Sequence, residues 1–186
     1  MGCSAQPTHS MQTDLRYPIG KFAAQPMYSP DETKQYSMAI ASLPAKLTAL
    51  VGNWTDTRLD TPYRPGGWTV RQLVHHMADS HMNGYVRTKL ALTEDNPTIL
   101  PYEEGEWAKL PDSKLEIASS LTLLTSLHLR WVTTFDALTE AELQRTFYHP
   151  GSNRTFTLAV QAANYAWHGE HHYQHANRLA ERNGWG

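Results

Sequence analysis

Residues 158–181, LAVQAANYAWHGEHHYQHANRLAE, decide how this chain is read. An α-helix advances about 100° per residue. On that wheel Gln161, Tyr165, His168, His172, His175 and Leu179 share one face, and Gly184 follows as a stop signal. The segment therefore predicts one long helix, from Leu158 to about Glu181, that turns a stripe of histidines inward. Taking His168 as zero, His172 falls at about 40°, His175 at about 340° and His171 at about 300°. Imidazole is the commonest metal ligand among side chains, and an i, i+4 pair can chelate one ion. His168 and His172 are the central pair, while His171 and His175 repeat the spacing nearer the edge. The string is not H-E-x-x-H. Glu170 stands two residues after the first histidine, at about 200° on the wheel, and reads as a solvated charge.

Working outward, three more long helices appear. Ser29-Pro30-Asp31-Glu32 is a helix start, with a capping serine, proline in the first turn and acids at the positive end. Met38, Ile40, Ala41, Leu43, Leu47, Leu50 and Val51 carry that helix to Gly52, and Pro44 predicts a kink or split within it. Thr69 and Gln72 have capping-box spacing and open a helix to about Thr93. Ser113 and Glu116 repeat that spacing before a helix through Leu121, Leu124, Leu127, His128, Trp131 and Phe135 to about Leu138. Residues 59–67 read as loop. Residues 97–112 read as connection, with a helical turn near Glu103 to Leu110, and Thr139 to Gln144 as a short helix. Phe147-Tyr148-His149 and Arg154-Thr155-Phe156 flank a turn, as a small hairpin or an ordered loop. Arg16 to Phe22, with Pro18 and Gly20, reads as an extended N-terminal arm. The expected fold is all-α, a four-helix bundle with short extra helices. The connections after the second and third long helices are long enough for non-sequential packing.

Composition narrows the class. At 186 residues the chain fits one domain with a sizeable core, expected over residues 15–186 after a loose extension at 1–14. A net charge of −2 gives no basic footprint for nucleic acid. Six Trp and nine Tyr suit a large core or an aromatic-lined pocket. One cysteine, Cys3, rules out a disulfide within the chain and fits a reducing compartment. Gln6 breaks the myristoylation pattern after Gly2, and no apolar run is long enough for a membrane span. The expected location is the cytoplasm.

Bundle proteins build metal sites from facing helices, so a further ligand is sought on the helix that Thr69 opens. With Leu73 at zero, Met77, Ser80, Gly84 and Val70 form the inward stripe and His76 lies on its edge at about 300°. His75, at about 200°, lies on the opposite face with Gln72 and Asp79. His81, at about 80°, is a supporting or core residue. His76, His168 and His172 would give three imidazoles and an open coordination position, the composition of catalytic zinc sites. Such a site lowers the pKa of water toward about 7, or holds a thiol as thiolate. Three imidazoles alone do not distinguish zinc from nickel, iron or manganese.

The stretch Asp60 to Asn83, DTPYRPGGWTVRQLVHHMADSHMN, closely resembles the signature of YfiT-type metal-dependent hydrolases of the DinB-like superfamily. The resemblance continues in Tyr17-Pro18-Ile19-Gly20, Pro44-Ala45-Lys46, residues 89–94, Phe147-Tyr148-His149-Pro150 and residues 165–172, covering nearly everything from Arg16 onward. It implies a four-helix bundle with one divalent metal per subunit on His76, His168 and His172. It further implies zinc, with nickel as an alternative, in a cytoplasmic homodimer. Relatives that transfer bacillithiol or another low-molecular-weight thiol to electrophiles supply a second activity.

Three functional readings follow. The first is a hydrolase that activates water for attack on a small-molecule substrate. The second is a thiol S-transferase on the same site. The third is a non-catalytic metal-binding stress protein, favoured if His175 fills the fourth position. Around the site, Tyr165 is a candidate hydrogen-bond donor to a bound oxygen and His149 a candidate loop residue. Asp79 is a candidate ligand-orienting group. Arg87, at about 320° on the inward stripe, needs either an acidic side chain or an acidic substrate as partner.

Overall fold

A computed structural model describes residues 14–185. Cys3 and the expected N-terminal extension, except Asp14, lie outside the described residues. In chain order the elements are α1 (Pro30–Val51), α2 (Asp56–Leu59), α3 (Val70–Thr93), α4 (Glu104–Trp107), a 3-10 turn (Pro111–Lys114), α5 (Ala118–Asp136), α6 (Glu140–Leu143), β1 (Thr146–His149), β2 (Arg154–Thr157) and α7 (Leu158–Asn183).

The caps explain most boundaries. Ser29 accepts from the Glu32 amide while Glu32 returns to the Ser29 amide, and Thr69 with Gln72 does the same at α3. Gly184 closes α7 in the left-handed region, at φ 63°. The box expected at Ser113 and Glu116 does not form. Ser113 lies inside the 3-10 turn begun by Pro111, its hydroxyl donates to the Trp107 carbonyl, and α5 starts at Ala118 without a side-chain cap. The expected extended arm also differs. Residues 14–20 form two turns, with the Gly20 amide on the Tyr17 carbonyl and Gly20 at φ 78°.

α1 runs through Pro44 without splitting. Proline has no N–H for the carbonyl one turn earlier. That carbonyl, of Ile40, instead meets His128 Nδ1 from α5 at 2.6 Å. Met38, one of the apolar positions that carry this helix, is 64% exposed.

The four long helices pack in a non-sequential order. α1 lies against α5 and α7, and α3 also lies against α5 and α7. Thus α1 and α3 are diagonal, as are α5 and α7. The long connection after α3 joins neighbours, and the crossings occur elsewhere. One core cluster holds Leu43, Leu47, Val51, Leu73, Met77, Leu124 and Leu179, and a second holds Ile40, Ala91, Trp131, Phe135, Leu158 and Tyr165. Each large apolar side chain buried here is worth about 1.5–3 kcal/mol. Two glycines set the closest approaches. A Cβ on Gly84 would stand 2.5 Å from both Trp131 and Tyr165, and one on Gly169 would stand 2.5 Å from Leu43.

β1 and β2 form an antiparallel hairpin with Phe147 opposite Phe156 and His149 opposite Arg154. The Ile99 amide donates to the Tyr148 carbonyl, tying the connection after α3 to the hairpin. No helix of the described residues is long and apolar enough to cross a membrane.

Candidate metal centre

The diagonal packing sets α3 directly against α7. One nitrogen from each of His76, His168 and His172 lies within 4.8 Å of the others. His76 Nε2 and His168 Nε2 are 3.4 Å apart. His76 and His172 are buried, and His168 is half-buried. Loss of water pushes the His76 pKa down to about 4. The same cause, reinforced by neighbouring imidazoles, drives His168 and His172 well below the usual histidine range. All three rings are therefore neutral at pH 7 and offer lone pairs. The Nδ1 of His172 is buried without a hydrogen-bond partner among the described residues. Three neutral imidazoles converging from two rigid helices fit a divalent transition-metal cation.

The other expected residues take different places. His171 and His175 pair with each other at 3.1 Å between their Nε2 atoms, and His175 packs 4.2 Å from the Tyr63 ring. His175 is not part of the converging trio. The Tyr165 hydroxyl donates its one proton to the Ser80 carbonyl at 3.0 Å, holding α7 on α3. His149 ends β1, where its Nδ1 accepts from the Ser152 amide, and burial lowers its pKa. Asp79 shares no hydrogen bond with a histidine among the described residues, and its carboxyl is pushed up to about 6 by burial, then by Asp112. Glu170 is half-exposed and pairs with Lys46 of α1 at 2.6 Å. His75, on the opposite face, is nevertheless buried, because residues 115–120 cover that face. Its ring meets Ser120 Oγ at 2.7 Å and the Leu115 carbonyl at 3.0 Å.

Two cavities adjoin the trio and share His168 and Glu104. One, about 450 Å³, is walled by Arg64, Trp68, Trp167 and all three histidines. The other, about 350 Å³, is lined by Arg87, Arg154, His149, Asn164 and Tyr165. Arg87 enters it half-buried and makes no ion pair among the described residues. Glu104, at the N-terminal end of α4, is exposed to solvent, and partial loss of water on its cavity side raises its pKa against the pull of Arg87. Nothing in the local pattern around Glu104, Trp68 or Trp167 marks them as lining residues. A larger cavity, about 750 Å³, lies on the far side of α3 around Arg71. The buried Arg71 is committed there to Asp56 at 2.5 Å and Asp60 at 2.7 Å, and no imidazole lines the space.

A family model described as the DinB superfamily matches residues 39–176. The chain belongs to the DinB superfamily. It is 51% identical over 172 residues to a protein of Bacillus mycoides (strain KBAB4), covering 92% of this chain and 99% of that one. It is equally similar to a protein of Bacillus cereus (strain B4264), 51% identical with the same coverage. Both relatives are named as metal-dependent hydrolases, an activity their names mark as provisional. Among solved structures, YfiT from Bacillus subtilis superposes with a TM-score of 0.90 at 46% identity, over 92% of this chain and 99% of that one. YfiT is described as a probable metal-dependent hydrolase with an unusual four-helix bundle topology.

Proposed function

We propose that the chain is a metal-dependent hydrolase in which His76, His168 and His172 hold one divalent ion beside a cavity for a small polar substrate. The observation that carries this reading is the convergence of one nitrogen from each histidine to within 4.8 Å. When bound, such an ion, zinc first and nickel as the alternative, supplies Lewis acidity that makes water a nucleophile near neutral pH. The protein's own groups do the rest. Arg87 and Arg154 bind an anionic or strongly polar group of the substrate in the smaller cavity. Glu104 lines both cavities, which places a carboxylate where it can take and return a proton. Trp68 packs its ring 4.7 Å from His76 and shields it from bulk water. As a homodimer, the form the sequence resemblance implies, the protein would sediment at twice its 21.1 kDa chain mass.

The test is metal content per chain, on protein purified without an affinity tag, for wild type and for His76→Ala, His168→Ala and His172→Ala. About one ion in wild type, lost in each variant, is expected. Metal retained in the variants, or hydrolysis of an ester, amide or lactone panel that survives metal stripping, refutes the reading.

A second reading, thiol transfer to an electrophile, draws on the paired cavities, which offer room for two reactants on either side of His168. It requires electrophile consumption that depends on an added low-molecular-weight thiol, and absence of that dependence removes it. The non-catalytic reading gains ground if a side chain such as His175 fills the fourth position, and that ring is engaged with His171.

A further inference from the structure

We propose that His128 and His81, anchored on the Ile40 carbonyl, form a hydrogen-bond relay that fixes the proton of His168 on Nδ1 and keeps its Nε2 bare. The inference rests on the metal-centre reading for its purpose but not for its geometry.

Four contacts run in series across the bundle. The Ile40 carbonyl of α1 meets His128 Nδ1 at 2.6 Å. His128 Nε2 meets His81 Nδ1 at 2.9 Å. His81 Nε2 meets His168 Nδ1 at 3.2 Å. His168 Nε2 then points to the trio, 3.4 Å from His76 Nε2. His81 is fully buried and His128 is 1% exposed, so water cannot substitute for any partner in the interior links.

The polarity of this series follows from counting protons. A carbonyl oxygen only accepts, so His128 must donate from Nδ1. A neutral imidazole carries one N–H, which leaves His128 Nε2 as an acceptor. His81 must therefore donate from Nδ1, and its own Nε2 becomes an acceptor. His168 must donate from Nδ1 in turn. The only nitrogen left without a proton on that ring is Nε2, the one facing His76 and His172.

The origin of the relay is visible in the backbone of α1. Ile40 has a carbonyl to spare because Pro44, one turn later, has no N–H to offer it. Hydrogen bonds to the second nitrogen of a ligand histidine commonly set its tautomer and orientation. Here the setting originates two rings away, on a helix that contributes nothing to the trio. His81 and His128 are thus positioning residues.

The test reads ring protons directly. On ¹⁵N-labelled full-length protein, stripped of metal by a chelator at neutral pH, long-range ¹H–¹⁵N spectra of the histidine rings report which nitrogen carries the proton. Nδ1–H on His81, His128 and His168 is expected, and Nε2–H on His168 overturns the relay. In His128→Phe the ring volume is kept but the acceptor is lost, so His81 is released to either tautomer. His168 should then lose its uniform Nδ1–H state, and the zinc dissociation constant, from competition with a chromophoric chelator, should rise about 10–100-fold. A folded His128→Phe protein, checked by circular dichroism, that binds zinc as tightly as wild type also overturns the relay. Should that variant fail to fold, the wild-type ring spectrum decides alone. Because the spectrum is taken without metal, a wild type that binds no zinc defeats the metal-centre reading while the ring protons still judge the relay.

Discussion

Asp79 sits three residues beyond His76 on α3, yet burial and Asp112, rather than any histidine, set its carboxyl at about 6. A folded pKa above the unfolded value of 3.8 means folding takes up a proton between about pH 4 and 6, so stability falls as pH rises through that window. Asp79→Asn should stabilise the protein at pH 7 by about 1 kcal/mol, a value discounted for the carboxyl's partial exposure. The gain should vanish below about pH 4, and equal urea midpoints for both proteins at pH 7 would refute it. Glu104 is the carboxylate on which turnover should depend. Glu104→Gln should lower kcat by about 10²- to 10⁴-fold on whatever substrate the hydrolysis panel yields, with metal content unchanged. Unaltered kcat would remove it from the proposal. The wheel separates His76 from His75 correctly as to face. It cannot show that His75 is buried, because the covering Leu115 and Ser120 belong to a segment some 40 positions later. Glu104 is illegible for the same reason: its meaning comes from the cavities it joins.

At the scale of elements, the tightest constraint is where α3, α5 and α7 meet at Gly84. Gly84→Ala gains helix propensity of about 1 kcal/mol but drives a methyl to within 2.5 Å of Trp131 and Tyr165. Overpacking should win, with a net loss of about 1–2 kcal/mol and a lowered Tm. An unchanged or higher Tm would show that the two rings can give way. The caps at Ser29 and Thr69 are readable because both partners of each box lie within one turn. The box at Ser113 misleads because Pro111 opens a 3-10 turn that holds Ser113 inside it, where its hydroxyl donates to the Trp107 carbonyl. Pro44 misleads in the opposite direction. A proline inside a helix is costly when its orphaned carbonyl stays unpaired, and here His128 takes that carbonyl from another helix. Which helices become diagonal has no local signal at all, since every long helix carries one apolar stripe and none names its neighbour.

For the molecule as a whole, buried neutral histidines govern the response to acid. Burial brings His128 down to about 4 and His175 to about 3. In the unfolded chain each ring takes a proton near pH 6.5, while the folded ring stays neutral. The unfolded state therefore binds more protons between about pH 6.5 and 4, and stability is lost as pH falls through that range. The slope is about 1.4 kcal/mol per pH unit for each such ring, outweighing the opposite and smaller trend of Asp79. Metal-free protein should show a Tm that declines steadily over that range, and a flat profile would contradict the burial of these rings. The diagonal order has one more consequence, in the time course of synthesis. α7 leaves the ribosome after α1, α3 and α5, and both α1 and α3 await it to cover Leu43 and Met77, which share a cluster with Leu179. Until residue 183 is free of the exit tunnel, the sides of α1 and α3 that face α7 stay open to water, the stage at which the nascent chain has most need of shielding.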